Sequence, residues 1–237
     1  MKQSTKWNLL VLLSMIIMST LPAATKILNQ SFIPLAIVFW KYVIANAILF
    51  TFLKWQKNPL AVNRPAWSNL LLLGCFSTDP GLAMAYSARF TTAANVSILI
   101  NAQPPFILLY NVLFTRHKTS FVQIMAVFVA LFGVVVINLD HGFTWQQLIA
   151  SQYLLGNLIS LLGAFLFASY TLINAKLINQ INGLVLNFYS FLCAILLCLP
   201  PLLLTKDRSG LTSSCNWQGW LLMLYVGTIP SVLVFQI

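Results

Sequence analysis

Two charged side chains stand where charge is expensive. In a chain of 237 residues with 13 Lys or Arg, 3 Asp and no Glu, Lys41 and Asp79 fall inside long apolar runs rather than between them. A charge at the middle of a bilayer costs about 2.5–3.5 kcal/mol on insertion scales, so such residues face a cavity or a partner. Two chemistries suit the pair: a salt bridge between neighbouring spans, or a substrate site in which Lys41 holds a carboxylate and Asp79 accepts a proton. A second group is built from amides. Asn101 and Gln103 lead into Pro104 and Pro105 within one apolar run, where they can hydrogen-bond a polar substrate or a neighbouring helix. Two successive prolines remove two backbone donors, so a broken helix is expected near Asn101, with carbonyls opened beside it. Pro22, which follows Ser19 and Thr20, and Pro80, which follows Asp79, repeat the pattern more weakly. Tyr170 adds a hydroxyl in a later run, as a substrate contact or as packing.

Enzyme chemistry does not assemble from what remains. The histidines are His117 and His141, and Cys75, Cys193, Cys198 and Cys215 contain no CxxC pair, so neither a zinc site nor a nucleophile with its base has the required spacing. The chain is expected to be no enzyme and to use no metal or cofactor. Gly74, Gly81, Gly133, Gly156 and Gly163 lie in apolar runs, where glycine permits close helix approach.

The composition says what must position these residues. Hydrophobic residues make up 59%, charged residues 7%, and the mean hydropathy is +0.87. A soluble domain carries roughly 25% charged residues. The chain is therefore expected to be a polytopic membrane protein whose immediate partner is the lipid bilayer. Its net charge of +10 suits anionic lipid rather than nucleic acid. About 20 apolar residues cross the hydrocarbon as a helix, and eight runs of that kind occur, near 7–25, 32–52, 67–86, 93–113, 121–137, 154–173, 184–204 and 217–237. The runs do not alternate in polarity, which excludes a transmembrane β-barrel. With the amino terminus inside, eight loop cations lie on the cytoplasmic side (Lys2, Lys6, Lys54, Lys57, Arg64, Arg116, Lys118, Lys176) and four on the other (Lys26, Arg89, Lys206, Arg208). That bias predicts a cytoplasmic amino terminus, in the cell (inner) membrane.

The chain also repeats itself. An offset of 150 residues superposes Lys26-Ile-Leu-Asn29-Gln30 on Lys176-Leu-Ile-Asn179-Gln180, Trp67 on Trp217 and Pro80 on Pro230. Run one then matches run six, and runs two and three match seven and eight. Five spans per unit force the second unit to enter the membrane from the opposite side, giving inverted repeats over residues 1–139 and 151–237. Counterparts of spans four and five do not follow Ile237, so the second repeat reads as truncated. Lys41 and Asp79 have Phe191 and Ile229 as repeat mates, which makes any charged site one-sided.

Phe39-Trp40-Lys41-Tyr42, the small-residue stretch from Ser87 to Asn95 leading into Ile98-Leu-Ile-Asn-Ala-Gln-Pro104, and Gly133-Val-Val-Val resemble the EamA type of the drug/metabolite transporter superfamily. The resemblance implies ten spans in two five-helix repeats, of which this chain lacks the last two. It also implies secondary transport by alternating access, exporting or exchanging small metabolites such as amino acids or drugs through a cavity lined by spans one, three, four, six and eight. The family often has Arg where Lys41 stands, and a Glu after the proline-containing span where this chain has Arg116. The alternative is a truncated membrane protein that binds a partner without transporting. A second copy of the chain, forming a homodimer, could then cover the apolar face left by missing helices.

Overall fold

The computed structural model describes residues 2–56, 67–112, 120–139, 146, 151–205 and 217–233, and every regular element among them is helical. In chain order these are α1 (Lys2–Ser19), α2 (Leu21–Leu28), α3 (Pro34–Trp55), α4 (Trp67–Phe90), α5 (Ala93–Ile100), α6 (Gln103–Tyr110), α7 (Phe121–Leu139), α8 (Ser151–Leu177), α9 (Gly183–Leu204) and α10 (Trp217–Thr228). A π-helical turn, Ile229–Leu233, continues α10. Taking α1 with α2 and α5 with α6, each helix coincides with one apolar run of the sequence. The 22 residues of α3 reach about 33 Å, enough to cross the hydrocarbon. Pro34–Trp55, Gln152–Leu177 and Gly183–Leu204 are each long and apolar enough to span a membrane. The fold is a polytopic membrane helix bundle.

Prolines punctuate the helices according to their missing N–H. Pro22 sits in the first turn of α2, Pro34 in that of α3, and Pro104 with Pro105 in that of α6, where a backbone donor has no intrahelical acceptor to lose. Thr20 marks the break between α1 and α2, and Asn101-Ala102 the break between α5 and α6. Both breaks are rejoined locally. The Thr20 hydroxyl donates to the Ile17 carbonyl at 2.7 Å, and the Asn101 amide donates to the Ser97 carbonyl at 2.7 Å. Pro80, by contrast, lies inside an α4 that stays helical from Trp67 to Phe90.

The hub of the bundle is α4, which packs against α8, α9, α3, α2 and α5. Lipid tails are as apolar as leucine, so helix association in a membrane relies on close van der Waals contact, which small residues permit. Gly156, Ser160, Ala164 and Ala168 recur every fourth residue along α8, and all four are buried. A Cβ on Gly156 would stand 2.8 Å from the Thr91 Cβ, and one on Gly163 would stand 2.8 Å from the Ala83 Cβ. The two backbones are therefore as near as glycine allows. Gly74 meets Cys193 of α9 in the same way.

One apolar cluster joins α2, α3, α4, α9 and α10 around Leu28, Phe32, Tyr42, Leu49, Phe191 and Met223. A smaller one joins α4, α8 and α9 around Leu70, Leu73, Tyr170, Leu177 and Leu186. Trp220 of α10 packs edge-on against Phe32 and Trp40, with ring centroids 5.4 Å apart in each pair. On the rim, α7 packs on α5 and α6 and turns Phe121, Phe128 and Phe132 outward at 72%, 63% and 71% exposure. Such a face suits lipid and not water.

Replacing Gly156 by Val should cost about 1–3 kcal/mol through overpacking at the α4–α8 contact. The readout is the midpoint of thermal unfolding in detergent. Gly81→Ala is the control, because its added Cβ would meet nothing nearer than the Tyr42 hydroxyl at 3.5 Å. Equal shifts for the two variants would show that this helix contact does not govern stability.

Candidate functional site

Both helix breaks border one cavity of about 300 Å³ at the centre of the bundle. Ser19, Leu21 and Pro22 flank it at the first break, and Ile100, Asn101 and Gln103 at the second. The missing N–H of a proline frees the carbonyl four residues earlier. Here those carbonyls belong to Met18, Ile100 and Asn101, and all three residues line the cavity. Irregular backbone at membrane depth is tolerated where it lines such a space.

Of the residues singled out from the sequence, Lys41, Asn101, Gln103, Tyr170, Pro22 and Pro80 all reach this wall. They come from α3, the α5–α6 break with the start of α6, α8, α2 and α4, so five separate segments of the chain converge. Pro104 and Pro105 stand one step back, in the first turn of α6. The Asp79 side chain lies outside the described residues, as do Arg116, Cys215, His117 and His141, so the Lys41–Asp79 pairing receives no structural account.

Sequence reasoning passed over several wall residues. Tyr42 follows Lys41 on α3 and is 4% exposed; its hydroxyl donates to the Ser77 carbonyl at 2.6 Å, and its ring lies 5.0 Å from that of Phe191. The Lys41 ammonium sits 5.0 Å from the centroid of the same Tyr42 ring, a cation–π distance. Phe191 was within reach of the repeat, since it is the mate of Lys41, and both positions line the cavity. Phe167 carried no signal beyond composition. Beyond the spans expected, α3 and α9, spans two and seven, contribute Lys41, Tyr42 and Phe191, and none of the described wall residues comes from α10, span eight. Trp220 packs α10 on Trp40 of α3, and Gly227 brings it close, with the site of a Cβ 2.8 Å from the Ile44 Cβ.

Chemically the wall offers one ammonium, two amides, several hydroxyls and four aromatic rings among its described residues. That combination can hold a small molecule with a polar end and an apolar body. Elsewhere in the bundle, the Thr91 hydroxyl donates to the Asn157 Oδ1 at 2.7 Å, and the Asn95 amide donates to both, at 2.9 and 3.2 Å. All three residues are buried, and they tie α4, α5 and α8 together at the Gly156 contact.

Comparison with known proteins agrees with this architecture. The sequence matches the EamA-like transporter family over residues 5–139 and 154–237. It is 23% identical to an uncharacterized transporter of Archaeoglobus fulgidus over 99% of this chain and 79% of that protein. It is 24% identical to an uncharacterized transporter of Clostridium kluyveri over 94% and 72% respectively. The aromatic amino acid exporter YddG of Escherichia coli is 26% identical over 48% of this chain and 40% of its own length. A protein of known crystal structure superposes with a TM-score of 0.72 at 17% identity, covering 98% of this chain and 77% of that one, a likeness of fold. With nearly its whole length matched by the family, the chain is a membrane transporter and belongs to the EamA-like transporter family.

Proposed function

We propose that the protein is a secondary transporter that moves small metabolites bearing a polar group, amino acids among them, by alternating access about the central cavity. The observation that carries this reading is the meeting of both helix breaks and Lys41 at one cavity. The two blocks of the family match, and Trp67 and Trp217 opening α4 and α10, support a pair of related units that rock against each other. Tyr42, Phe167, Tyr170 and Phe191 supply apolar contact for a substrate body, which accords with the name of the Escherichia coli relative. Lys41 takes the substrate carboxylate, and Asn101 and Gln103 take its remaining polar groups. The amino terminus faces the cytoplasm of the cell in whose inner membrane the protein sits, as the loop charges favour.

Mass spectrometry of a pooled metabolite panel, in cells expressing the chain, tests the reading. Intracellular levels of one or more carboxylate-bearing metabolites should fall. Lys41→Met should cut that export about tenfold or more at unchanged membrane abundance, since a hydrogen bond to a charged group contributes roughly 1.5–3 kcal/mol. Unchanged levels throughout would favour a membrane protein that binds a partner without transporting.

The orientation has its own check. A cysteine replacing Lys57 should resist membrane-impermeant maleimide in intact cells, and one replacing Asp207 should react. The reverse pattern would invert the topology.

A further inference from the structure

Glycine inside a helix is unfavourable, second only to proline, because it loses the most backbone freedom on folding. Most interior glycines of this bundle are explained by contact. A Cβ on Gly74, Gly156, Gly163 or Gly227 would stand 2.2, 2.8, 2.8 or 2.8 Å from an atom of a neighbouring segment, so a larger residue there would push the helices apart. Gly81, near the middle of α4, is different. Its Cβ would meet the Tyr42 hydroxyl at 3.5 Å and the Val38 methyls at 3.7 Å, ordinary van der Waals separations that leave room for alanine. Close helix approach, the role expected from the sequence, therefore does not require glycine at this position.

What Gly81 provides is room in the cavity. Ser77, Gly81 and Met84 follow one another at helical spacing along the face of α4 that borders the space, and Gly81 is the one glycine among the described wall residues. Between two larger side chains it leaves a recess. Tyr42 and Val38 bound that recess on the α3 side, so atoms beyond a Cβ would have to enter the cavity or displace Tyr42. Tyr42 is held in place by its 2.6 Å hydrogen bond to the Ser77 carbonyl and by the Phe191 ring at 5.0 Å. The Lys41 ammonium lies 5.0 Å from the centroid of the same tyrosine ring. Charge and recess thus share one neighbour.

We propose that Gly81 is the specificity-determining residue of the transport site: its recess takes the apolar body of a carboxylate-bearing substrate and sets the largest body that fits. The proposal rests on the reading of Lys41 as the carboxylate contact. With the carboxylate at Lys41, the rest of the molecule lies alongside Tyr42, toward the recess. One methylene of misfit in an apolar pocket changes discrimination about 10–200-fold, so enlarging residue 81 lowers the size limit in steps while leaving the charge untouched.

The test uses the free amino acids alanine, valine, leucine, phenylalanine and tryptophan, which share a carboxylate and differ in body. Binding to the purified protein in detergent is read as the ligand concentration needed for a given rise in the unfolding midpoint, and export of the same five is followed in expressing cells by mass spectrometry. The parent should bind and export up to the aromatic bodies. Gly81→Ala should raise the concentration needed for phenylalanine and tryptophan about tenfold relative to valine, with a ligand-free midpoint no lower than the parent's. Gly81→Leu should lose leucine and both aromatic ligands, alanine being weakened least; should it fail to accumulate, Gly81→Ala alone decides. A uniform loss across the five would assign Gly81 to helix motion or folding beside Pro80 and overturn the proposal, as would a lowered ligand-free midpoint in Gly81→Ala or a parent that binds none of the five. Graded binding without export would keep Gly81 as the selector and remove the transport reading, whereas export with binding unaffected by residue 81 would do the reverse.

Discussion

The structure depends on how closely α4 can approach α8. In water a helix pair is held by expelling solvent from apolar faces, but in lipid that force is absent and contact itself must suffice. Gly156 and Gly163 bring α8 onto α4 until neither position has room for a side chain. The close approach lets Asn157 reach Thr91 and Asn95, so the same contact that maximises dispersion also pairs three buried polar groups. With α4 held there, its other flanks receive α9 through Gly74 and α3 through the Tyr42–Ser77 hydrogen bond.

A cavity survives at the centre because the helices that surround it are interrupted. Two continuous helices in place of α1–α2 and α5–α6 would bring regular ridges together and close the space. Proline makes the interruptions, and the polar side chains beside them, Thr20 and Asn101, satisfy carbonyls of the preceding turn. Thr20 gives its proton to Ile17 and so accepts one from the Tyr225 hydroxyl at 2.7 Å, which also anchors α10 to the first break. Discontinuity, cavity and interhelix bonding are thus one arrangement rather than three.

The cavity is chemically lopsided even though the sequence is internally repeated. Lys41 and Phe191 occupy matching positions of the two halves and line the same space, one charged and one aromatic. A wall with a charged side and an aromatic side can bind a molecule that has distinct polar and apolar ends. That asymmetry is written in the sequence.

What the sequence determined by itself is local. Apolar run length set where helices form, so that the expected 32–52 and 184–204 became α3 and α9 to within a few residues. Proline chemistry located the interruption after Ile100, because a residue without an N–H withdraws a bond from a known carbonyl. The cost of intramembrane charge marked Lys41, and their place before Pro104 and Pro105 marked Asn101 and Gln103; all three border the cavity. Tertiary structure alone decided which face of each helix meets which neighbour. Tyr42, Ser77, Phe167 and Phe191 look like ordinary membrane residues until α3, α4, α8 and α9 are brought around one space. The seating of α10 against α3 likewise depended on Trp220 and Gly227 finding Trp40 and Ile44. An apolar helix in lipid has no preferred inward face of its own, so that choice is made by the fit of all the helices together.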